Sequence, residues 1–431
     1  MATDLSTWRP GGSTQRWTSR ATTIDGIERE LAKIWAMPRP TADGEEERHV
    51  AARTSVLNLV VVARRPELGE HCAAIISGLT VRHPSRTLIC SMTDPDGPGW
   101  LDARISAQCI LPREGAAETC VETIYVTAGG DTGRHIAAIV EPLLVHDLPV
   151  TIWWPGEPPL GTQQANDLLE NGDRLVVDGS SWSGDGLERL AQLDRLVDSG
   201  ALCVFDFALV RQARWREAIA STFDLPEFLP FVHSIRRIAV TYGTHDETGQ
   251  PGATNMVKPL YHVAWIASRL GMSVSRPLAP LGGGQPAADG PAARSAGGAG
   301  RSAGAGKSAG ATPLAGRGYA AMLRHGSTEV AVVMRPVLSG MPSGTTLRVE
   351  LLAERRGSEL RVDVTAEAET VAVHAWQDGV EVLDRRFLAV RRTEMDLLAE
   401  AIESPGRDPV ADGAIRMAAR IAASEETGAG A

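Results

Sequence analysis

The sequence predicts an α/β protein with two lobes. Three observations predict it: strand-length apolar runs alternating with helical patterns before residue 281, a change to strict period-two alternation after residue 318, and between them a stretch that cannot build a core. The first lobe is expected to hold a mainly parallel sheet flanked by helices. The second is expected to be a smaller α+β lobe on an antiparallel sheet.

In chain order, residues 1–20 are polar and read as a flexible N-terminus. Thr22 or Thr23 then caps a helix whose apolar positions, Ile24, Ile27, Leu31, Ile34 and Trp35, recur at the helical period. Strands are predicted at 56–63, 87–92, 105–111, 121–127, 150–154, 174–178 and 201–205. Helices are predicted at 67–80, 133–146, 161–169 and 186–197. Continuous apolar runs of this kind suit strands covered on both faces. The runs near 105 and 121 are consecutive and also suit an antiparallel hairpin. A strand at 235–242 and a helix at 257–270 close the predicted lobe, 21–281.

Residues 282–312 contain no Val, Ile, Leu, Met or aromatic side chain. Such a segment buries too little apolar surface to offset its ordering entropy, so 282–317 reads as a disordered Gly/Ala/Ser linker with a reach of roughly 30–35 Å. In the second lobe, 318–424, Leu347, Val349 and Leu351 alternate with Arg348 and Glu350. Leu360, Val362 and Val364 alternate with Arg361 and Asp363. This is the pattern of an antiparallel sheet with one wet face. Asp378-Gly379 signals a hairpin turn. Thr393 and Asp408-Pro409 signal two helix starts. The tail 425–431 is expected to fray.

Acids outnumber bases, 53 to 43, for a formal charge of -10. That argues against general nucleic-acid binding and against anionic membranes, both of which need a basic face. No run approaches the roughly 20 apolar residues of a membrane span, and the N-terminus lacks the apolar segment of a secretory signal. The five cysteines, Cys72, Cys90, Cys109, Cys120 and Cys203, form no C-x-x-C pair and read as reduced thiols of a cytoplasmic protein.

The catalytic motifs fail one by one. Gly306-Lys307-Ser308 ends like a phosphate loop, but Arg301 stands at the position of its first glycine and no strand precedes it. Gly179-Ser180-Ser181-Trp182-Ser183 follows a strand, yet Ser183 replaces the closing glycine of a nucleophile elbow. No G-x-G-x-x-G opens a helix, and the ten histidines form no metal-ligand spacing. Catalytic residues, metal and cofactor are therefore all expected to be absent.

Two binding regions remain. Ligands of open parallel sheets bind beyond the carboxyl ends of strands. Loops there would be the Gly-rich turn of Gly130, Asp131, Thr132 and Arg134, Pro155-Gly156, Gly179 to Trp182, and Asp206. The Gly-rich turn is a candidate anion site, although Asp131 is equally an ordinary helix cap. The other region is partner-binding: His83, Ser85 and Arg86 in a turn before a strand, with Trp153 and Trp154 as aromatic anchors. The turn is equally a plain helix-to-strand connection stopped by Pro84.

The run Arg82-His83-Pro84-Ser85-Arg86, then Glu122-Thr123-Ile124-Tyr125, then Leu148-Pro149-Val150 leading to Trp153-Trp154-Pro155-Gly156, resembles the OpcA family. Leu175-Val176-Val177-Asp178 with Ser180-Ser181 fits as well. These are the glucose-6-phosphate dehydrogenase assembly proteins of cyanobacteria and actinobacteria. The resemblance covers roughly 20–275 well and 318–420 loosely. It implies a non-enzyme that binds glucose-6-phosphate dehydrogenase, promotes its assembly or activation, and so supports the oxidative pentose phosphate pathway and NADPH supply. The redox control associated with some members has no matching cysteine motif here. A sugar-phosphate enzyme with its site at the carboxyl edge of the sheet, and a scaffold for another metabolic partner, are the alternatives.

Overall fold

A computed structural model describes residues 14–36, 39–40, 46–47, 55–80, 82–93, 96–110, 119–248, 250, 252–281, 312–313 and 317–423. In chain order the elements are β1 (Thr14–Ala21), α1 (Ile24–Ala36), β2 (Arg39–Pro40), β3 (Glu46–Glu47), β4 (Leu57–Ala63), α2 (Pro66–Leu79), β5 (Ser85–Thr93), β6 (Trp100–Ile110) and β7 (Thr119–Gly129). There follow α3 (Gly130–Arg134), α4 (Ile136–Val140), β8 (Val150–Trp154), α5 (Gln163–Leu169), β9 (Arg174–Val177), α6 (Leu187–Ser199), β10 (Cys203–Asp206), α7 (Phe207–Val210) and α8 (Ala213–Phe223). The rest are β11 (Ile235–Thr244), α9 (Val257–Arg269), β12 (Ser273–Pro280), β13 (Thr312–Pro313), β14 (Tyr319–His325), β15 (Thr328–Leu338), β16 (Thr346–Arg355), β17 (Ser358–Ala366), β18 (Thr370–Gln377), β19 (Val380–Leu388), α10 (Glu394–Glu403) and α11 (Pro409–Ala422).

Two compact units emerge. The first comprises 1–178, 199–205 and 393–407; the second comprises 179–198, 206–392 and 408–431. The first is built on a sheet of strand order β1-β6-β7-β5-β4-β8-β9-β10. Strands β7, β5, β4, β8 and β9 run parallel, while β6 pairs antiparallel with both β7 and β1. All seven residues of β4 and all five of β8 are buried, as two-sided coverage requires. Ile27 and Leu31 of α1 and Cys72, Ile76 and Leu79 of α2 supply the buried helical faces. The consecutive runs near 105 and 121 do form a hairpin. Part of the segment expected to be flexible, 14–20, is instead strand β1: the outer edge of β6 offers unpaired backbone groups, and a polar strand can occupy an edge.

The second unit holds a sheet of order β12-β14-β15-β11-β16-β17-β18-β19, with β13 also paired to β15. Here the sequence reading of the chain's organisation needs correcting. Strand β11 sits between β15, to which it is parallel, and β16, to which it is antiparallel. The segment 235–281, expected to close the first lobe, therefore contributes the second sheet's central strand, the helix α9 and the edge strand β12. Both hydrogen-bonding edges of β11 are satisfied by strands that lie beyond the proposed linker. Of that linker, residues 282–311 and 314–316 lie outside the described residues, as does the tail beyond 423.

Alternation sets the two faces of this sheet. Ile238, Val240, Val349, Leu351, Val362, Val364, Val371 and Val373 are buried on one side. Helix α9 packs beneath β11, β15 and β16, α8 beneath β17, β18 and β19, and α11 against α9 and β12. The hairpin turn is as expected: Asp378 and Gly379 take φ of 51° and 83°, and β18 pairs antiparallel with β19. The two helix starts also hold. Thr393 and Asp396 form a reciprocal capping box, and the Asp408 carboxylate accepts from Val410 N ahead of Pro409. Helix α10, however, is counted with the first unit and α11 with the second.

Candidate functional site

The residues proposed for partner contact gather at β5, but mostly in its interior. The parallel register sets Arg86 opposite Glu122 of β7. Arg86 Nε donates to Glu122 Oε2 at 2.6 Å, and its Nη1 donates to the Leu143 carbonyl at 3.0 Å. The two side chains are 5% and 2% exposed. Ser85 is buried as well, its hydroxyl 2.9 Å from that of Thr87. Trp153 and Trp154 lie in β8, between β4 and β9, and are also buried. The expectation of exposed anchors at Ser85, Arg86, Trp153 and Trp154 is thus corrected. A strand in the middle of a sheet covered on both faces turns neither side of its pleat to solvent.

His83 is placed differently. Its Nε2 lies 2.9 Å from Glu403 Oε1, which also receives Arg82 Nη2 at 2.6 Å. Arg82 is largely exposed. His71 of α2 makes a similar contact, 2.8 Å, with Glu394 at the other end of α10. Arg174 Nη2 donates to the Ser404 carbonyl at 2.6 Å and its Nη1 to that of Ile402 at 3.3 Å, which serves the free carbonyls at the helix C-terminus. The four basic side chains thereby clasp one late helix. No spacing in the sequence announces a contact across some three hundred positions, so nothing local marks Glu394 and Glu403 as partners of these histidines.

The Gly-rich turn after β7 is packed. Gly130 has φ of 55°, and a Cβ there would collide with the Gly97 carbonyl oxygen; one at Gly129 would strike the Trp100 indole. Asp131 lies 3.7 Å from His135, and Arg134 Nη2 donates to Asp96 at 3.3 Å. The Gly99 backbone approaches Thr132 closely. Beside the turn lies an open cleft of about 460 Å³ lined by Arg134, His135, Glu141, Gln164, Asp167 and Glu170, among others. Three carboxylates there face two basic groups, a field that disfavours a phosphate. Gly130, Asp131, Thr132 and Arg134 share the short helix α3, but of the four only Arg134 lines this cleft.

The rejected serine motif has a structural explanation in the second unit. The buried Asp206 carboxylate accepts from Gly179 N (2.9 Å), Ala208 N (2.8 Å) and the Tyr261 hydroxyl (2.7 Å). Asn255 donates to the carbonyls of Gly179 and Trp182. These bonds fix the turn at 179–182, and Ser180 accepts from Arg211 at 3.2 Å. Among the described residues no group of three or more potential metal ligands occurs, and no helix is long and apolar enough to cross a membrane. Cys72 and Cys90 are buried, and burial pushes both thiols up to about 12, away from reactivity. The side chains of Cys109 and Cys120 are outside the described set.

Residues 76–195 match the family model described as the glucose-6-phosphate dehydrogenase subunit N-terminal domain. The matched segment is thus similar to the OpcA family. It runs from the end of α2 into α6 and includes Arg86, Glu122, Trp153 and Trp154, so the motifs that carried the resemblance are largely framework of the sheet. The OxPP cycle protein OpcA of Synechocystis sp. is 28% identical over 199 residues, which are 46% of this chain and 39% of that protein. The chain thus spans well under half the length of that curated relative. Solved oxidoreductases align too. Bacillus subtilis YvaA shows 10% identity and a TM-score of 0.41 over 87% of this chain and 98% of that one. One from Sinorhizobium meliloti shows 13% and 0.43 over 86% and 96%. Likenesses this low carry no inference about chemistry.

Proposed function

We propose that this chain is a non-catalytic accessory protein that binds glucose-6-phosphate dehydrogenase and promotes its assembly or activation, thereby supporting the oxidative pentose phosphate pathway. The observation that carries this reading is the match of residues 76–195 to the glucose-6-phosphate dehydrogenase subunit N-terminal domain. The packed Gly-rich turn and the fixed turn at 179–182 are compatible with it, because Gly129, Gly130, Gly179 and Ser180 have structural tasks. In physical terms the chain must bind the active dehydrogenase state more tightly than the inactive one. The exterior of the turn before β5 is the contact we favour, with the exposed Arg82 replacing the buried Ser85 and Arg86 as the group a partner could reach, and His83, 13% exposed against Glu403, positioned beneath it. The dehydrogenase performs the hydride transfer.

Titration of the purified chain into purified dehydrogenase from the same organism tests this, with initial rate followed against glucose 6-phosphate and complex size followed by light scattering. A saturable rise in rate or substrate affinity, or a shift in dehydrogenase oligomer size, is expected. No complex and no kinetic change would sink the reading.

A further inference from the structure

Strand β19 is an edge strand: among the described residues it pairs with β18 alone. It is also where exposed apolar surface concentrates. Of the eight large apolar side chains exposed among the described residues, four fall within 380–390: Val380 (65% exposed), Val382 (47%), Leu388 (67%) and Val390 (58%). The ladder with β18 shifts register between Ala375 and Trp376, which leaves Val382 as a bulged residue and explains why 380–382 are exposed one after another. A long apolar edge is an aggregation liability unless something covers it.

The order of residues along this edge says what covers it. Antiparallel pairing of a strand with its own copy about a two-fold axis normal to the sheet brings residues i and j together when they are equidistant from the axis. With the axis at Arg385, Val382 faces Leu388, Leu383 faces Phe387 and Asp384 faces Arg386, while the bulge leaves Val380 on the opposite face of the strand from Leu388. Two of the four exposed apolar side chains, Val382 and Leu388, meet across the seam, and each Asp384 meets an arginine of the other copy. Within one chain Arg386 Nη1 already donates to Asp384 at 3.0 Å, so the seam closes a ring of four alternating charges. The two Arg385 residues meet at the axis; they are exposed and stay solvated. A sequence matched to itself about one residue in this way is the self-complementarity an isologous interface requires.

We propose that two copies of this chain associate through β19, joining their second-unit sheets into one continuous sheet across a two-fold axis at Arg385. A seam of one strand pair predicts a modest dissociation constant, about 1–100 µM. Sedimentation equilibrium of the purified full chain over about 1–500 µM tests it directly. A monomer–dimer equilibrium is expected. Val382→Lys and Leu388→Lys should each raise the dissociation constant at least about tenfold without changing the far-UV circular dichroism or the melting temperature. Asp384→Arg alone and Arg386→Asp alone, each placing like charges across the seam, should weaken the dimer. The two together in one chain should restore it, because each swapped charge again meets its opposite. A chain that remains monomeric throughout, as it would if another protein covered this edge, overturns the assignment. So does a dimer that Val382→Lys leaves intact, or a double swap no better than its singles.

Discussion

The same chemical pair, an arginine and a carboxylate, does opposite work in the two units. In the first, Arg86 and Glu122 are sealed between neighbouring parallel strands, and Arg86 also serves the Leu143 carbonyl. In the second, Arg348 bridges Glu350 at 2.8 Å and Asp363 at 2.6 Å on the polar face of the antiparallel pair β16 and β17, with Arg348 41% exposed. Arg361 lies beside that network and over the Trp376 ring at 4.1 Å. A pair buried on both sides is held by the fold and cannot meet a partner, whereas here the arginines reach solvent while Asp363 beneath them is only 10% exposed. The lesson is that arginine and tryptophan mark interfaces only when the strand carrying them leaves a face or an edge uncovered.

The sharpest break of that comparison is Arg86→Ala. It takes the guanidinium from a carboxylate that is 2% exposed, and should cost about 3–5 kcal/mol in urea unfolding. The double variant Arg86→Met with Glu122→Leu should recover most of that loss, since it removes both charges. A cost below about 1 kcal/mol for the single variant would mean that the pair is not sealed.

The next effect is pH-dependent. His262 of α9 is fully buried, neither ring nitrogen has a hydrogen-bond partner, and Trp215 packs 5.1 Å away. Burial first, then the charges of Arg216 and Lys258, hold its pKa down at about 3. Between the ordinary value of 6.5 and that value, the unfolded chain binds a proton that the folded one refuses, so stability falls as pH drops through this window. His262→Leu should flatten that fall, by a few kcal/mol at the acid end, and be neutral or stabilising at pH 7. An unchanged slope of unfolding free energy against pH would contradict it.

Smaller still, Arg348→Ala should cost about 1–2 kcal/mol, because the 41% exposed guanidinium is partly screened by solvent while Asp363, only 10% exposed, keeps Arg361 at 3.9 Å. A loss as large as that of Arg86→Ala would erase the contrast between the units. The smallest stability effect is expected for Arg82→Glu, whose side chain is mostly exposed. Its melting temperature should stay within a degree or two, while activation of the dehydrogenase weakens if the turn before β5 is the contact. Full activation by this variant would move the contact elsewhere.

Legibility in the sequence followed the range of the interaction that decided each feature. The hairpin at Asp378-Gly379, the caps at Thr393 and Asp408, and the wet and dry faces of β16 and β17 depend on residues a few positions apart, and all were readable. The parallel run of β7, β5, β4, β8 and β9 was readable too, because strands covered on both faces must be apolar throughout. Burial of Trp153, Trp154 and Arg86 is not readable in the same way. An aromatic or an arginine looks the same in the sequence whether its strand is central or at an edge, and strand order is set by pairings many residues apart.

The sequence by itself determined the α/β class, the switch from continuous to alternating strands, the local turns and caps, and the motif order that resembles the OpcA family. Only the tertiary structure decided that β11 joins strands from far down the chain, that α10 is clasped by His71, His83, Arg82 and Arg174, and that β19 is left at an edge. Local rules fix what each segment can become. Which segments become neighbours depends on satisfying every strand's backbone hydrogen bonds at once, and that condition belongs to the whole fold.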